Sequence, residues 1–168
     1  MSEEFLKDVR INNCGRRFKF RVAGIIEQKD KILLVRMNDN KFFCFPGGHV
    51  ELLEDTAHAG ERELNEELYF NVKVDTLLYI HENFFGAPEG KYHELCFYYK
   101  AKPVDEDFET TDTFHEEIDQ GQLVKHEYKW IDKKDLLGFN ARPTLVIENY
   151  VKDDDKFLHL LTNDLKND

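Results

Sequence analysis

Gly48-His49-Val50-Glu51-Leu52-Leu53-Glu54-Asp55-Thr56-Ala57-His58-Ala59-Gly60-Glu61-Arg62-Glu63-Leu64-Asn65-Glu66-Glu67-Leu68-Tyr69-Phe70 is the stretch on which the fold of this 168-residue chain turns. Asp55 or Thr56 can cap a helix here, and acidic residues near its start suit the helix dipole. Ala57, Gly60, Leu64 and Leu68 recur at helical spacing and make a narrow seam facing the core. Gly60 inside a helix costs about 1 kcal/mol against alanine, which points to close packing on a sheet. Glu63, Glu66 and Glu67 stand at i, i+3 and i+4, so the same helix gathers them within about 5–6 Å. Three like charges on one face repel, and folding alone does not reward the arrangement. A divalent cation reverses that sign, because hard cations such as Mg²⁺ take oxygen ligands and keep positions for water and phosphate. A solvated glutamate face is the competing reading, since acidic amphipathic helices are common. The turn Phe45-Pro46-Gly47-Gly48 can bring backbone close to the same place.

Outward from this stretch the chain reads mostly as strands. Phe18 to Ile26 alternates in β-formers, Lys31 to Arg36 is a compact apolar run, and Glu27-Gln28-Lys29-Asp30 between them reads as a hairpin turn. Phe42 to Phe45 is a short strand. Val72 to Phe85 and Tyr92 to Lys102 are long β-type stretches joined by a loop over residues 86–90. Asp105 to Gln122 is acidic and poor in apolar residues, and reads as a mobile insertion. Leu123 to Ile131 returns to strand character. Asp132 can cap a short helix through Leu137, Pro143-Thr144 starts another to about Val151, and Phe157 to Leu161 is a last apolar segment. Helices interleaved with mostly antiparallel strands define an α+β or α/β class with a mixed sheet. The whole reads as one domain over 1–168, which the length supports.

The quoted stretch resembles the signature of the Nudix hydrolase family, G-x5-E-x7-R-E-U-x-E-E-x-G-U with U a bulky aliphatic. Gly48 opens it, followed by Glu54, Arg62-Glu63, Leu64, Glu66-Glu67 and Phe70. Tyr69 stands where the family has glycine, and Phe70 is aromatic. Glycine would suit a left-handed residue ending the helix, and tyrosine there would cost roughly 1–2 kcal/mol. The expectation is a helix that ends slightly later, with Asn71 in that role.

The resemblance implies an α/β/α sandwich whose signature forms a loop-helix-loop. It also implies hydrolysis of a nucleoside diphosphate linked to a group X, with Mg²⁺ or Mn²⁺ as cofactor and a small nucleotide-type molecule as substrate. By the same resemblance Glu63, Glu66 and Glu67 are metal ligands, the Gly48 carbonyl adds another, and one glutamate can serve as base. Arg62 then pairs with Glu54 to orient the ligands. Glu127 is the candidate for a further ligand or base from outside the helix, with Glu116 and Glu117 behind it; an exposed glutamate explains it equally well.

Substrate contacts are less legible. Glu82, Asn83, Phe84 and Phe85 face His93 and Glu94 across the expected hairpin. Phe84, Phe85, Tyr98 and Tyr99 could stack a base, though core packing is the commoner use of aromatics in strands. His93 is a candidate base with a structural histidine as its alternative. Arg21 and Arg36 are candidates for phosphate through the planar guanidinium, or surface charges. Two other functions stay open: a catalytically silent binding or regulatory module, and a metal-dependent isomerase on the same fold.

Composition narrows the partners. With 23 basic against 34 acidic residues the net charge is −11, which disfavours duplex nucleic acid, whose binding rests on neutralising phosphates. Cys14, Cys44 and Cys96 form no metal-like cluster, so they read as reduced thiols and the location as cytoplasmic. No membrane-length apolar run occurs, and Ser2-Glu3-Glu4 is not the basic start of a secretory signal. A homodimer is the oligomer to expect if there is one.

Overall fold

The protein is described here from a computed structural model covering residues 7–119 and 121–165, with the Asp119 side chain left aside. Ser2 to Glu4 and Gln120 lie outside the described residues. Among the described residues there are eleven strands, two α-helices and one short 3₁₀ helix. In sequence they are β1 (Arg10–Asn13), β2 (Arg16–Gln28), β3 (Lys31–Met37), β4 (Phe43–Cys44), β5 (Gly47–His49), α1 (Thr56–Glu67), β6 (Val72–Ala87), β7 (Gly90–Pro103), β8 (Thr113–Asp119), β9 (Gln122–Asp132), the 3₁₀ helix (Lys133–Gly138), β10 (Ala141–Arg142), α2 (Thr144–Lys152) and β11 (Leu158–Asn163).

Strand β2 organises the sheet. Its first eleven paired residues run parallel to β7, from Arg16 opposite Lys91 to Ile26 opposite Ala101. Only Glu27 and Gln28 pair with β3, across a turn in which Lys29 and Asp30 both have positive φ (52° and 60°), the conformation that matches strand twist in a two-residue hairpin. Beyond those two rungs the strands part. β3 goes on with β4 and β9, whereas β2 takes up β5 through Arg21–His49, Val22–Gly48 and Ala23–Gly47. The candidate site lies in that split.

Helix α1 covers one face of the sheet, seated on Val22, Leu33, Val35, Val72 and Tyr99. The 3₁₀ helix and α2 cover the other, where Leu136, Val146, Ile147 and Tyr150 pack on Ile25, Ile32, Leu34 and Leu78. The mixed sheet between helices is the α/β/α sandwich expected above. Gly60 explains itself: a Cβ there would stand 3.1 Å from Val22 Cγ2, so the helix sits close enough to the sheet that a side chain would press on Val22.

Several local expectations are corrected. The buried stripe of α1 is Ala59, Gly60, Leu64 and Leu68, and Ala57 is exposed. The helix ends at Glu67 with Leu68 extended, and neither Tyr69 nor Asn71 is left-handed. Asn65 closes the end instead, its amide oxygen accepting from Val72 N (2.9 Å) and its NH₂ donating to Val72 O (3.0 Å). Tyr69 therefore never needs the conformation that glycine would supply. It packs edge-on against Phe70 and Tyr128 and donates to Thr111 O. The loop between β6 and β7 shrinks to Pro88 and Glu89. Most of the acidic stretch 105–122 is structured as well: Phe108 packs with Phe70 and Trp130, and β8 pairs with β9 from Thr113–Tyr128 onward.

Candidate active site

Asp55 caps α1 by accepting from the Ala57 and His58 backbone N–H groups, which fixes where the helix begins and so which way its glutamates point. Nearly two turns in, Arg62 gathers four partners. Its Nε and Nη2 each stand 2.8 Å from a carboxylate oxygen of Glu54, its Nη1 stands 2.8 Å from Glu63, and Nη2 also donates to His49 O. A longer contact of 3.4 Å reaches Glu66. The two-point grip on Glu54, which also accepts from the Glu51 backbone N–H, ties the loop after β5 to the helix. Arg62 holds the Glu54 carboxyl below its ordinary range.

Glu63 reaches from α1 to the backbone of β5. An added Cβ on Gly48 would fall 1.9 Å from Glu63 Oε2, so glycine is required for the carboxylate to lie there. Burial raises the Glu63 pKa, with the Arg62 charge opposing it. Glu66 is open to solvent, its side chain 63% exposed. Glu67, at the helix end, is pushed up to about 7 by burial, while Arg21 and the Gly47 N–H favour its charged form and Glu63 and Glu117 disfavour it.

The structure separates the other sequence candidates into groups. Arg21 belongs to the site: it donates to Gly47 O, faces Glu94 at 3.6 Å and acts on Glu67. Burial opposes its charge, but Glu94 together with Cys96, Cys44 and Tyr98 turns the balance and keeps it protonated. Glu127 falls elsewhere. It lies within β9 rather than in a loop, opposite Arg36, and is held by Arg36 and Lys129. Side chains alternate along a strand, so Glu127 shares the face of Phe43, over which both cations sit, and not the face of α1. Arg36 is thereby committed to Glu127.

The residue that approaches α1 from this hairpin is Glu117, set behind Glu127 in the sequence reading. It bonds His126 at 3.0 Å, next to Tyr128, whose hydroxyl donates to Glu67 O. The pairing of β8 with β9 brings it there, and no local pattern in an acidic stretch announces that pairing. Phe84 and His93 stack on one another at 4.3 Å on the face away from the cleft, and Glu82 bonds the exposed His159.

On the face opposite α1 a cleft of about 1330 Å³ opens between the β6–β7 hairpin and the start of α2. Arg21, Cys44, Glu94 and Tyr98 form its floor, and Phe42, Phe85 and Arg142 its rim. Phe85 thus lines the cleft, whereas Tyr99 packs under α1. Arg21 joins this cleft to the carboxylates of α1.

The fold and this carboxylate helix define the class. A NUDIX domain model matches residues 15–160, and the chain belongs to the NUDIX family. Over 79 residues it is 38% identical to the ADP-ribose pyrophosphatase of Methanocaldococcus jannaschii, a match taking in 45% of this chain and 47% of that protein. The chain thus spans about half the length of this curated relative. A NUDIX hydrolase from Nitrosomonas europaea superposes with a TM-score of 0.60 at 19% identity, covering 86% of this chain and 78% of that one. An ADP-ribose pyrophosphatase from Streptococcus suis gives 0.54 at 16%, covering 86% and 98%. These two likenesses bear on the fold.

NUDIX hydrolases need a divalent metal, and the donor set here suits one. Among the described residues no three carboxylate, imidazole or thiolate side chains already stand together as a closed cage; Glu63 leans on Arg62 instead. Yet Glu67 is a half-buried carboxylate whose pKa burial raises, and Gly48 lacks the Cβ that would block Glu63. All-oxygen donors of this kind match a hard divalent ion rather than a softer one. Among the described residues no helix is long and apolar enough to cross a membrane.

Proposed function

We propose that this protein is a metal-dependent pyrophosphohydrolase that cleaves the phosphoanhydride bond of a nucleoside diphosphate linked to a second group. The observation that carries the reading is the position of Arg21, which reaches Gly47 beside Glu67 and also floors the cleft. Glu63, Glu66, Glu67 and the Gly48 carbonyl would hold Mg²⁺ or Mn²⁺. When bound, such an ion neutralises phosphate oxygens and lowers the pKa of water.

The chain's own residues supply position and electrostatics, which carry most of phosphoryl-transfer catalysis. Arg62, gripping Glu54, fixes the helix carboxylates against β5. A helix glutamate left free of the ion accepts the proton of the attacking water and gives it up again. Arg21 faces the developing charge on the phosphate side, and the aromatic rim of the cleft takes the base. Water adds across the P–O–P bridge and two phosphorylated fragments leave.

The test is hydrolysis of a nucleotide panel with Mg²⁺ or Mn²⁺, beside a Glu66→Gln, Glu67→Gln double variant. ADP-ribose heads the panel because the partial relative from Methanocaldococcus jannaschii is an ADP-ribose pyrophosphatase. Turnover that the folded double variant loses is the expected result. Metal and nucleotide binding without turnover would make the chain a binding module instead.

A further inference from the structure

Alternate residues of β2, Arg17, Lys19 and Arg21, share by strand parity the sheet face on which the cleft opens, with Arg21 in the cleft floor and the other two continuing the row beyond it. Successive same-face positions are about 6.5–7 Å apart along a strand, so the row extends roughly 13 Å from the catalytic end outward. Its orientation is fixed by Tyr92. Arg17 and Lys19 both lie over that ring, at 5.6 and 4.8 Å, and Arg17 donates to its hydroxyl. Tyr92 stacks in turn on Phe85, which lines the cleft.

The row is under-neutralised. Arg21 has Glu94 at 3.6 Å. Among the described residues, neither Arg17 nor Lys19 has a carboxylate at ion-pair distance, and the buried Nε of Arg17 has no acceptor. Glu67 faces the Arg21 end of the row, whereas Lys19 has Glu94 and Glu89 acting on it against Arg21 and Arg17. Burial and the neighbouring Arg21 both lower the Lys19 pKa, a penalty that a bound anion would relieve. In a chain of net charge −11, such a row is the opposite of what general surface composition would produce. A single diphosphate seated at Arg21 cannot span it.

We propose that Arg17, Lys19 and Arg21 form a track for a phosphate chain longer than a diphosphate, so that the favoured substrate is a nucleoside or dinucleoside polyphosphate. The inference rests on the pyrophosphohydrolase reading for its chemistry, but the track itself is a binding site and is tested as one.

The experiment compares binding of inorganic tripolyphosphate and pyrophosphate, at fixed Mg²⁺, by calorimetry. Wild type is set beside an Arg17→Gln, Lys19→Gln double variant and a Lys19→Arg variant. Charge-assisted contacts of this kind change affinity by about tenfold or more each. Wild type is therefore expected to bind tripolyphosphate at least about tenfold tighter than pyrophosphate. The double variant should lose that preference while keeping its pyrophosphate affinity, which also reports that it is folded, and Lys19→Arg should retain the preference. Equal affinities in the wild type, or a preference that survives the double substitution, would overturn the track. Either outcome is readable whether or not any substrate is turned over, so it stands apart from the hydrolysis panel.

Discussion

Arg62 and Glu54 meet through two parallel bonds, Nε and Nη2 each 2.8 Å from a carboxylate oxygen. This is the planar two-point geometry that arginine forms and lysine does not. The pair joins the loop after β5 to the middle of α1, and the same guanidinium steadies Glu63. Arg62→Lys is expected to lower kcat by at least about tenfold, consistent with loss of an orienting partner, with a smaller effect on the thermal midpoint. Rates and melting curves on the same preparation check it.

The pair also sets a pH dependence. Arg62 depresses the folded-state pKa of Glu54, so its contribution to stability is present above the unfolded value, about 4.3 for glutamate. It is lost as pH falls through the folded value, when the carboxyl takes up a proton. Chemical denaturation of wild type and Glu54→Gln from pH 7 to pH 3 should show a stability gap that closes only at the acid end. A gap constant across that range would dissociate the pair from stability.

Gly48→Ala should disable the site without unfolding the protein. The new methyl would fall 1.9 Å from Glu63 Oε2, and the flexible carboxylate must swing away. Mg²⁺-dependent turnover is expected to drop at least about a hundredfold, in line with loss of a precisely placed group. Circular dichroism should be unchanged.

Metal should stabilise the fold through the carboxylates of α1. At a concentration a hundred times its dissociation constant, a ligand binding only the native state adds about 2.7 kcal/mol. That corresponds to roughly 5–11 °C for a chain of this size. Differential scanning fluorimetry with Mg²⁺ or Mn²⁺ should show the shift in wild type and little of it in Glu66→Gln, Glu67→Gln.

Tyr69→Gly restores the residue the family signature carries, and is expected to harm this chain. Tyr69 contacts Phe70, Phe108 and Tyr128 and bonds Thr111 O. Half exposed, it should cost about 1–2 kcal/mol on removal, or roughly 2–8 °C in melting temperature. A variant as stable as wild type would show that the ring cluster contributes nothing.

What the sequence made legible follows the range over which each signal acts. The carboxylate helix, its Asp55 cap, the β2–β3 hairpin and the long β6–β7 pair are written in contiguous residues, and each is found where local pattern puts it. The end of α1 was misjudged because the residue closing it, Asn65, bonds Val72 across the following bend, a contact no local rule marks. The acidic stretch hid β8 because its strand character depends on pairing with β9, and the ring ahead of it that packs on the core, Phe108, is only half-buried. Glu127 and Glu117 fall on opposite faces of their hairpin for the same reason: strand parity decides the face, and parity is known only once the partner strand is placed. Arg21 was visible as a charge on a strand, but its link from cleft to helix depends on β5 folding back beside β2.

Strand β2 carries two vocabularies on one ribbon: Val22 turns toward the seat of α1, where Gly60 comes down on it, and Arg21 beside it turns toward the cleft. The alternation is indivisible. Adding or deleting one residue anywhere between Arg17 and Val22 would carry the cations under the helix and the apolar residues into the cleft. Family relatives that differ here should therefore differ by substitution and never by a single-residue gap, which makes this short segment a ruler against which their alignments can be set.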